Sequence, residues 1–162
     1  MPYLISIDPG TKKCGMASFL DGKLKEARTI SPDRLFEMYQ LSYNMPLHKR
    51  PILVIEDQYI SKDKLKYQQA IIKLAHKAGA IAEHFEQRGH RVVWASAWGK
   101  QGWIAGMLSN GGKIPNREQA KKLSLQIAKA TWPSFNFKED HVSDAALIGQ
   151  WFLDNWRLEG GG

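Results

Sequence analysis

The chain has 162 residues, 43% of them hydrophobic and 24% charged, which suits one globular domain able to bury its own core without disulfides. A single cysteine, Cys14, excludes a disulfide framework and a cysteine-built zinc site, and it suits a reducing, cytoplasmic setting. No apolar run approaches the ~20 residues that span a bilayer, and the formal charge of +7 favours a polyanionic partner such as nucleic acid or an acidic membrane face.

Met1 to Ile7 leads directly into Asp8-Pro9-Gly10, so Leu4 to Ile7 reads as a buried strand stopped by a turn rather than as a signal peptide. Cys14 to Leu20 reads as a second strand and Lys23 to Ile30 as a third, joined by Asp21-Gly22, a strong two-residue hairpin signal. Ser31-Pro32 opens a helix expected to reach about Asn44. The continuous apolar run Ile52-Leu53-Val54-Ile55 suits a central strand buried on both faces, ending in Glu56-Asp57.

A helical repeat of Ile71, Leu74, Ala75, Ala78, Ala82 and Phe85 predicts a long helix from about Asp63 to Arg88, closed by Gly89. Arg91 to Ala95 is the fifth strand. Residues 96–115, rich in glycine and tryptophan, read as a loop with room for a helical turn. Asn116 caps the next helix with Gln119 as capping-box partner, and a last helix runs from Asp140 to about Trp156. The order βββαβαβαα places residues 1–157 in one domain and leaves 158–162 as a disordered glycine-rich tail.

Three acids stand next to apolar sequence: Asp8 at the end of the first strand, Glu56 at the end of the fourth, and Asp144 in the first turn of the last helix. Burying one unpaired carboxylate costs several kcal/mol, roughly, and a shared divalent cation removes that cost. Hard oxygen donors suit Mg²⁺, with Mn²⁺ as a substitute, and two such ions ~3.5–4 Å apart support phosphodiester hydrolysis. Taken singly, each acid equally suits a surface carboxylate or a helix cap; together, at these topological positions, they favour a metal site. His141 lies three residues before Asp144, on the same side of the helix, where it suits either a metal ligand and base or an exposed first-turn histidine. Asp140 reads as the N-cap, and Asp57 is the nearest rival to Glu56, but adjacent strand residues face opposite ways, so only one of the two is expected in the site.

Ile5-Ser6-Ile7-Asp8-Pro9-Gly10-Thr11 with Gly15, Val54-Ile55-Glu56-Asp57-Gln58-Tyr59, and His141-Val142-Ser143-Asp144-Ala145-Ala146-Leu147 resemble, in order, three motifs of the RuvC Holliday-junction resolvases. The resemblance spans nearly the whole chain. It implies an α/β, ribonuclease H-like fold, with a mixed five-stranded sheet whose first three strands are antiparallel, flanked by helices. It implies that Asp8, Glu56, His141 and Asp144 hold two Mg²⁺ ions per active site. It also implies a homodimer that binds four-way DNA junctions and resolves them with paired nicks, the long helix over 63–88 serving as dimer element or simply as a core helix. Tyr59 stands where members carry an aromatic near the junction centre; Lys62 and Lys64, followed by Lys66, suit phosphate contacts or an exposed helix start. Lys100 and Arg117 fall near basic positions that contact the DNA backbone, whereas Trp98 and Trp103 suit DNA contact less well than packing of the loop. Many members have aspartate where His141 stands; a histidine ligand must be neutral, so activity is expected to fall as it protonates.

Three alternatives share parts of this pattern. YqgF-like RNA nucleases share the Ile-Asp-x-Gly-Thr-Lys opening, but Glu56 favours the resolvases. Actin-like kinases share Asp-x-Gly-Thr but need a duplicated domain that this chain lacks. A non-catalytic junction-binding protein would have no need to cluster carboxylates near phosphates.

Overall fold

The computed structural model describes residues 1–38, 44–58 and 67–158. Strands β1 (Leu4–Asp8), β2 (Cys14–Leu20) and β3 (Lys23–Ile30) form the expected antiparallel meander. At the β2–β3 turn Asp21 has φ 53° and Gly22 φ 72°, the paired left-handed geometry that a tight two-residue hairpin requires. β4 (Ile52–Glu56) pairs parallel with β1, and β5 (Val92–Ala95) pairs parallel with β4, giving one sheet in the order β3-β2-β1-β4-β5. β4 therefore sits inside the sheet, and Ile52 to Ile55 are buried on both of its faces.

Side-chain alternation divides the core in two. Leu4, Ala17, Phe19 and Val54 meet helices α3 (Trp103–Leu108), α4 (Arg117–Thr131) and α5 (Asp140–Leu158) on one face. Ile5, Ile7, Leu53 and Ile55 meet α1 (Pro32–Met38) and α2 (Gln68–Glu86) on the other. α5 is the central helix of the first layer: Ala145, Ala146, Leu147 and Ile148 are wholly buried. Two small residues let it lie flat on the sheet. A Cβ on Gly149 would meet the Phe19 ring at 2.4 Å, and a Cβ on Gly15 would meet the His141 carbonyl oxygen at 1.8 Å. The buried Ser6 hydroxyl, in β1, donates to the Ala145 carbonyl at 2.6 Å and fixes the helix along β1.

The capping expected from sequence is present: the Asn116 side chain accepts from the Gln119 amide, Gln119 reciprocates, and Ser31 caps α1 through the Arg34 amide. α1 ends at Met38 among the described residues, and the remainder of the helix expected to Asn44 falls largely outside them, as does the expected start of α2 before Tyr67. Two boundaries differ from expectation. The 96–115 stretch holds a real, six-residue helix, α3, and α5 continues to Leu158, inside the residues expected as tail; 159–162 lie outside the described residues.

Gly15→Val drives a side chain into the backbone of α5 where no rotamer relieves the clash, so the helix must lift from β2. The expected loss is about 2–4 kcal/mol of unfolding free energy in urea denaturation; a loss below about 0.5 kcal/mol would contradict the close approach.

Candidate active site

β1 and β4 run parallel with a constant register, Leu4 beside Ile52 through Ile7 beside Ile55, and one further step brings Asp8 beside Glu56 at the carboxyl edge of the sheet. Both continue the alternation of Leu4, Ser6, Ile52 and Val54, so both face the α5 layer. Asp8 is also paired with Gly15 on β2, and the missing side chain at Gly15 is what admits the first turn of α5. That turn brings Asp144 to the same place. Asp8, Glu56, Asp57, Asp140 and Asp144 line one pocket of about 300 Å³, together with the cations Arg117 and Lys121.

The electrostatics follow from this crowding. Burial, then the charges of Glu56 and Asp144, hold the Asp8 carboxyl well above the usual carboxylate range. Burial raises Glu56 to about 7, offset in part by a hydrogen bond from Trp103 and by the Arg117 charge. Burial raises Asp144 to about 7 as well, offset by Ser124 and Lys121. Trp103 is almost wholly buried and its indole Nε1–H donates to Glu56 Oε2 at 2.9 Å. The Ser124 hydroxyl donates to Asp144 Oδ1 and meets the Ser143 hydroxyl at 2.7 Å. Arg117, Lys121 and Ser124 recur at intervals of four and three along α4, so a single stripe of that helix serves the pocket.

Of the sequence-derived site residues, Asp8, Glu56, Asp144 and Arg117 come together. His141 does not line the pocket: its Nε2 lies 2.8 Å from Glu139 Oε2 and 2.7 Å from Thr29 Oγ1, on the β3 side of the helix start. Asp140 takes the pocket side instead; it is the first residue of α5 rather than its cap, and its carboxylate lies 3.5 Å from Lys121 Nζ. Contrary to the expectation that only one of the pair enters, Asp57 borders the pocket along with Glu56, because the strand ends at Glu56 and the alternation stops there. Lys100 stands outside the acidic pocket, and Tyr59, Lys62 and Lys64 lie outside the described residues. Trp103 packs the loop as expected, and Trp98 is 36% exposed at the pocket. Lys121, Ser124 and the Trp103 hydrogen bond were not expected; the 117–121–124 spacing is the signal that points to the first two.

Oxygen donors that repel one another out of water are the donor set of a hard divalent cation. Among the described residues no three acid, histidine or cysteine side chains stand close enough, as placed, to clasp a single ion.

The chain has a RuvC-like fold. Thermus thermophilus RuvC in complex with Holliday junction substrate superposes with a TM-score of 0.66 at 13% identity, covering 99% of this chain and 98% of that one. A second Thermus thermophilus RuvC structure superposes at 0.63 with 16% identity, covering 97% and 96%. No family profile and no curated protein matches the chain. The fold is thus retained at an identity where most side chains differ, and it is the ribonuclease H-like arrangement expected from the motif order.

The raised carboxyls make a signed prediction for the metal-free protein. Asp144 holds its proton in the fold up to about 7, against 3.8 ordinarily, so its contribution favours folding below the ordinary value and is lost as pH rises through about 7. Asp144→Asn removes the buried charge. In EDTA it should unfold at higher temperature than the parent near about pH 8, by the equivalent of roughly 1–3 kcal/mol, with the gap closing below about pH 4. Equal melting curves at both ends of that range would contradict the crowding of the site.

Proposed function

We propose that the chain is a metal-dependent, structure-selective endonuclease that resolves four-way DNA junctions. The observation that carries this is the convergence of Asp8, Glu56 and Asp144, from two parallel strand ends and one helix start, into a pocket flanked by Arg117 and Lys121 on a RuvC-like fold. A +7 chain that concentrates carboxylates in one pocket is built to hold cations between itself and a polyanion. The complex of Thermus RuvC with junction DNA supports the substrate class.

In this reading Asp8, Glu56 and Asp144 are the ligands of two Mg²⁺ ions, for which Mn²⁺ substitutes. When bound, such a pair lowers the pKa of water and stabilises the leaving oxygen of a phosphodiester. Trp103 and Ser124 keep the Glu56 and Asp144 oxygens aimed into the pocket, as second partners of metal-ligating carboxylates do. Arg117 and Lys121 receive the phosphate. Asp140 on the pocket side and His141 beside it are the candidates for the remaining ligand and for the group that takes the water proton. Tyr59, Lys62 and Lys64, between β4 and α2, would hold the branch point.

A homodimer supplies two such sites for paired nicks. The exposed first half of α2, with Ile72 at 37% exposure and Tyr67, just before the helix, at 55%, supports that helix as the contact. Ile72→Glu should then give a monomer in sedimentation at concentrations where the parent is a dimer, and paired nicking should fall to single nicks; a parent that sediments as a monomer would contradict the dimer.

With a labelled four-way junction and Mg²⁺, symmetrical nicks are expected from the parent and none in EDTA. Asp8→Asn, Glu56→Gln and Asp144→Asn should each bind the junction yet cut at least about 10²-fold more slowly. Binding without cutting in both Mg²⁺ and Mn²⁺ would leave a junction-binding protein, and cleavage of RNA alone would favour the RNA nucleases of the same fold.

A further inference from the structure

A second groove, of about 700 Å³, runs beside the edge strand β5 and is bounded by Arg91, Lys100, Gly106, Trp151 and Trp156. Its chemistry is the reverse of that of the acidic pocket. It is lined by two cations and several aromatic side chains, and no carboxylate lines it among the described residues. The Arg91 guanidinium lies 5.2 Å from the centre of the Trp156 ring, and the buried Trp156 Nε1–H has no hydrogen-bond partner among the described residues. Trp151 lies half-buried over Gly106, where a Cβ would meet its ring at 2.8 Å; the glycine lets α3 pass beneath the indole and leaves the ring at the groove.

The groove and the acidic pocket share one wall. Ala97, Trp98 and Trp103 line the pocket, whereas Ser96, Lys100 and Gly102 line the groove. The wall is built rather than loose: the Trp103 amide donates to the Ser96 carbonyl at 2.9 Å and the Ile104 amide to the Ala97 carbonyl at 3.2 Å.

We propose that this groove holds a single-stranded DNA segment adjoining the cleavage site, with Trp151 as stacking surface and Arg91 and Lys100 as phosphate contacts. Aromatic faces set among cations, without competing carboxylates, are the means by which proteins hold unpaired strands. A duplex hides its base faces and offers nothing to Trp151. The inference rests on the nuclease reading for the choice of nucleic acid as occupant, and it extends the substrate class to branches that carry an unpaired arm.

The test is fluorescence anisotropy of a labelled oligo(dT), in EDTA at one fixed low salt concentration, with the parent, Lys100→Ala, Trp151→Ala and Trp151→Phe. Trp151→Ala should weaken binding about tenfold and Trp151→Phe should restore most of it, since the ring is what stacks. Lys100→Ala, an exposed position that leaves the fold intact, should weaken binding severalfold and reduce the salt slope by about 0.7. Trp151→Ala and Trp151→Phe should keep the parent's affinity for blunt duplex, which offers no base face to the ring. Oligo(dT) binding that is absent in the parent, or equal in the parent and Lys100→Ala, overturns the proposal and leaves the groove to a polypeptide. Because no step requires cleavage, a protein that fails to cut junctions but shows this pattern would retain the groove and lose the nuclease reading.

Discussion

Mutual repulsion among carboxylates held out of water is the constraint around which this molecule is organised. Asp8, Glu56 and Asp144 are each raised by burial, and Asp8 is raised further by the other two. Nothing in hydrophobic packing asks for such an arrangement, and it lowers the stability of the metal-free fold at neutral pH. The surrounding structure answers it in three ways. Two cations on one stripe of α4 face the acids, a buried indole and a hydroxyl donate to them, and tight packing of α5 on the sheet prevents them from moving apart.

The last of these shows how backbone geometry becomes site geometry. Gly15 is paired with Asp8, and its lack of a side chain allows the His141 backbone to touch β2. Ser6, two residues before Asp8, holds α5 by a hydrogen bond to Ala145, one residue after Asp144. The backbones at Asp8 on β1 and Asp144 on α5 are thus fixed against one another by contacts immediately beside them, while the backbone at Glu56 is set by the β1–β4 register. This is a rigid arrangement of strand ends and a helix start, the placement that gives a site its precision.

Most of the fold was legible in the sequence because the signals were local. The Asp21-Gly22 turn, the Asn116/Gln119 capping box and the doubly buried Ile52–Ile55 run each produce their element within a residue or so of the expected bounds. The converging acids were legible because a charge at the end of an apolar run is anomalous. What escaped depends on long-range contact. α3 is short, begins after Gly102 and is held by carbonyls of the preceding loop, so propensity alone does not mark it. Which side of the α5 start faces the pocket is decided by Thr29 and Glu139 drawing His141 away, and by Lys121 drawing Asp140 inward. Positions 140 and 141 are both near enough to Asp144 in helical spacing that no pattern chooses between them. Lys100 sits on a wall with two sides, and sequence gives no means of telling which side it serves.

The most direct test of the account is the position of a metal in a crystal of the protein grown with Mn²⁺, located by anomalous scattering. The account predicts Mn²⁺ between Asp8, Glu56 and Asp144, with Trp103 still donating to Glu56. Anomalous density absent from that pocket under saturating Mn²⁺, with the carboxylates instead paired to Arg117 and Lys121, would contradict it.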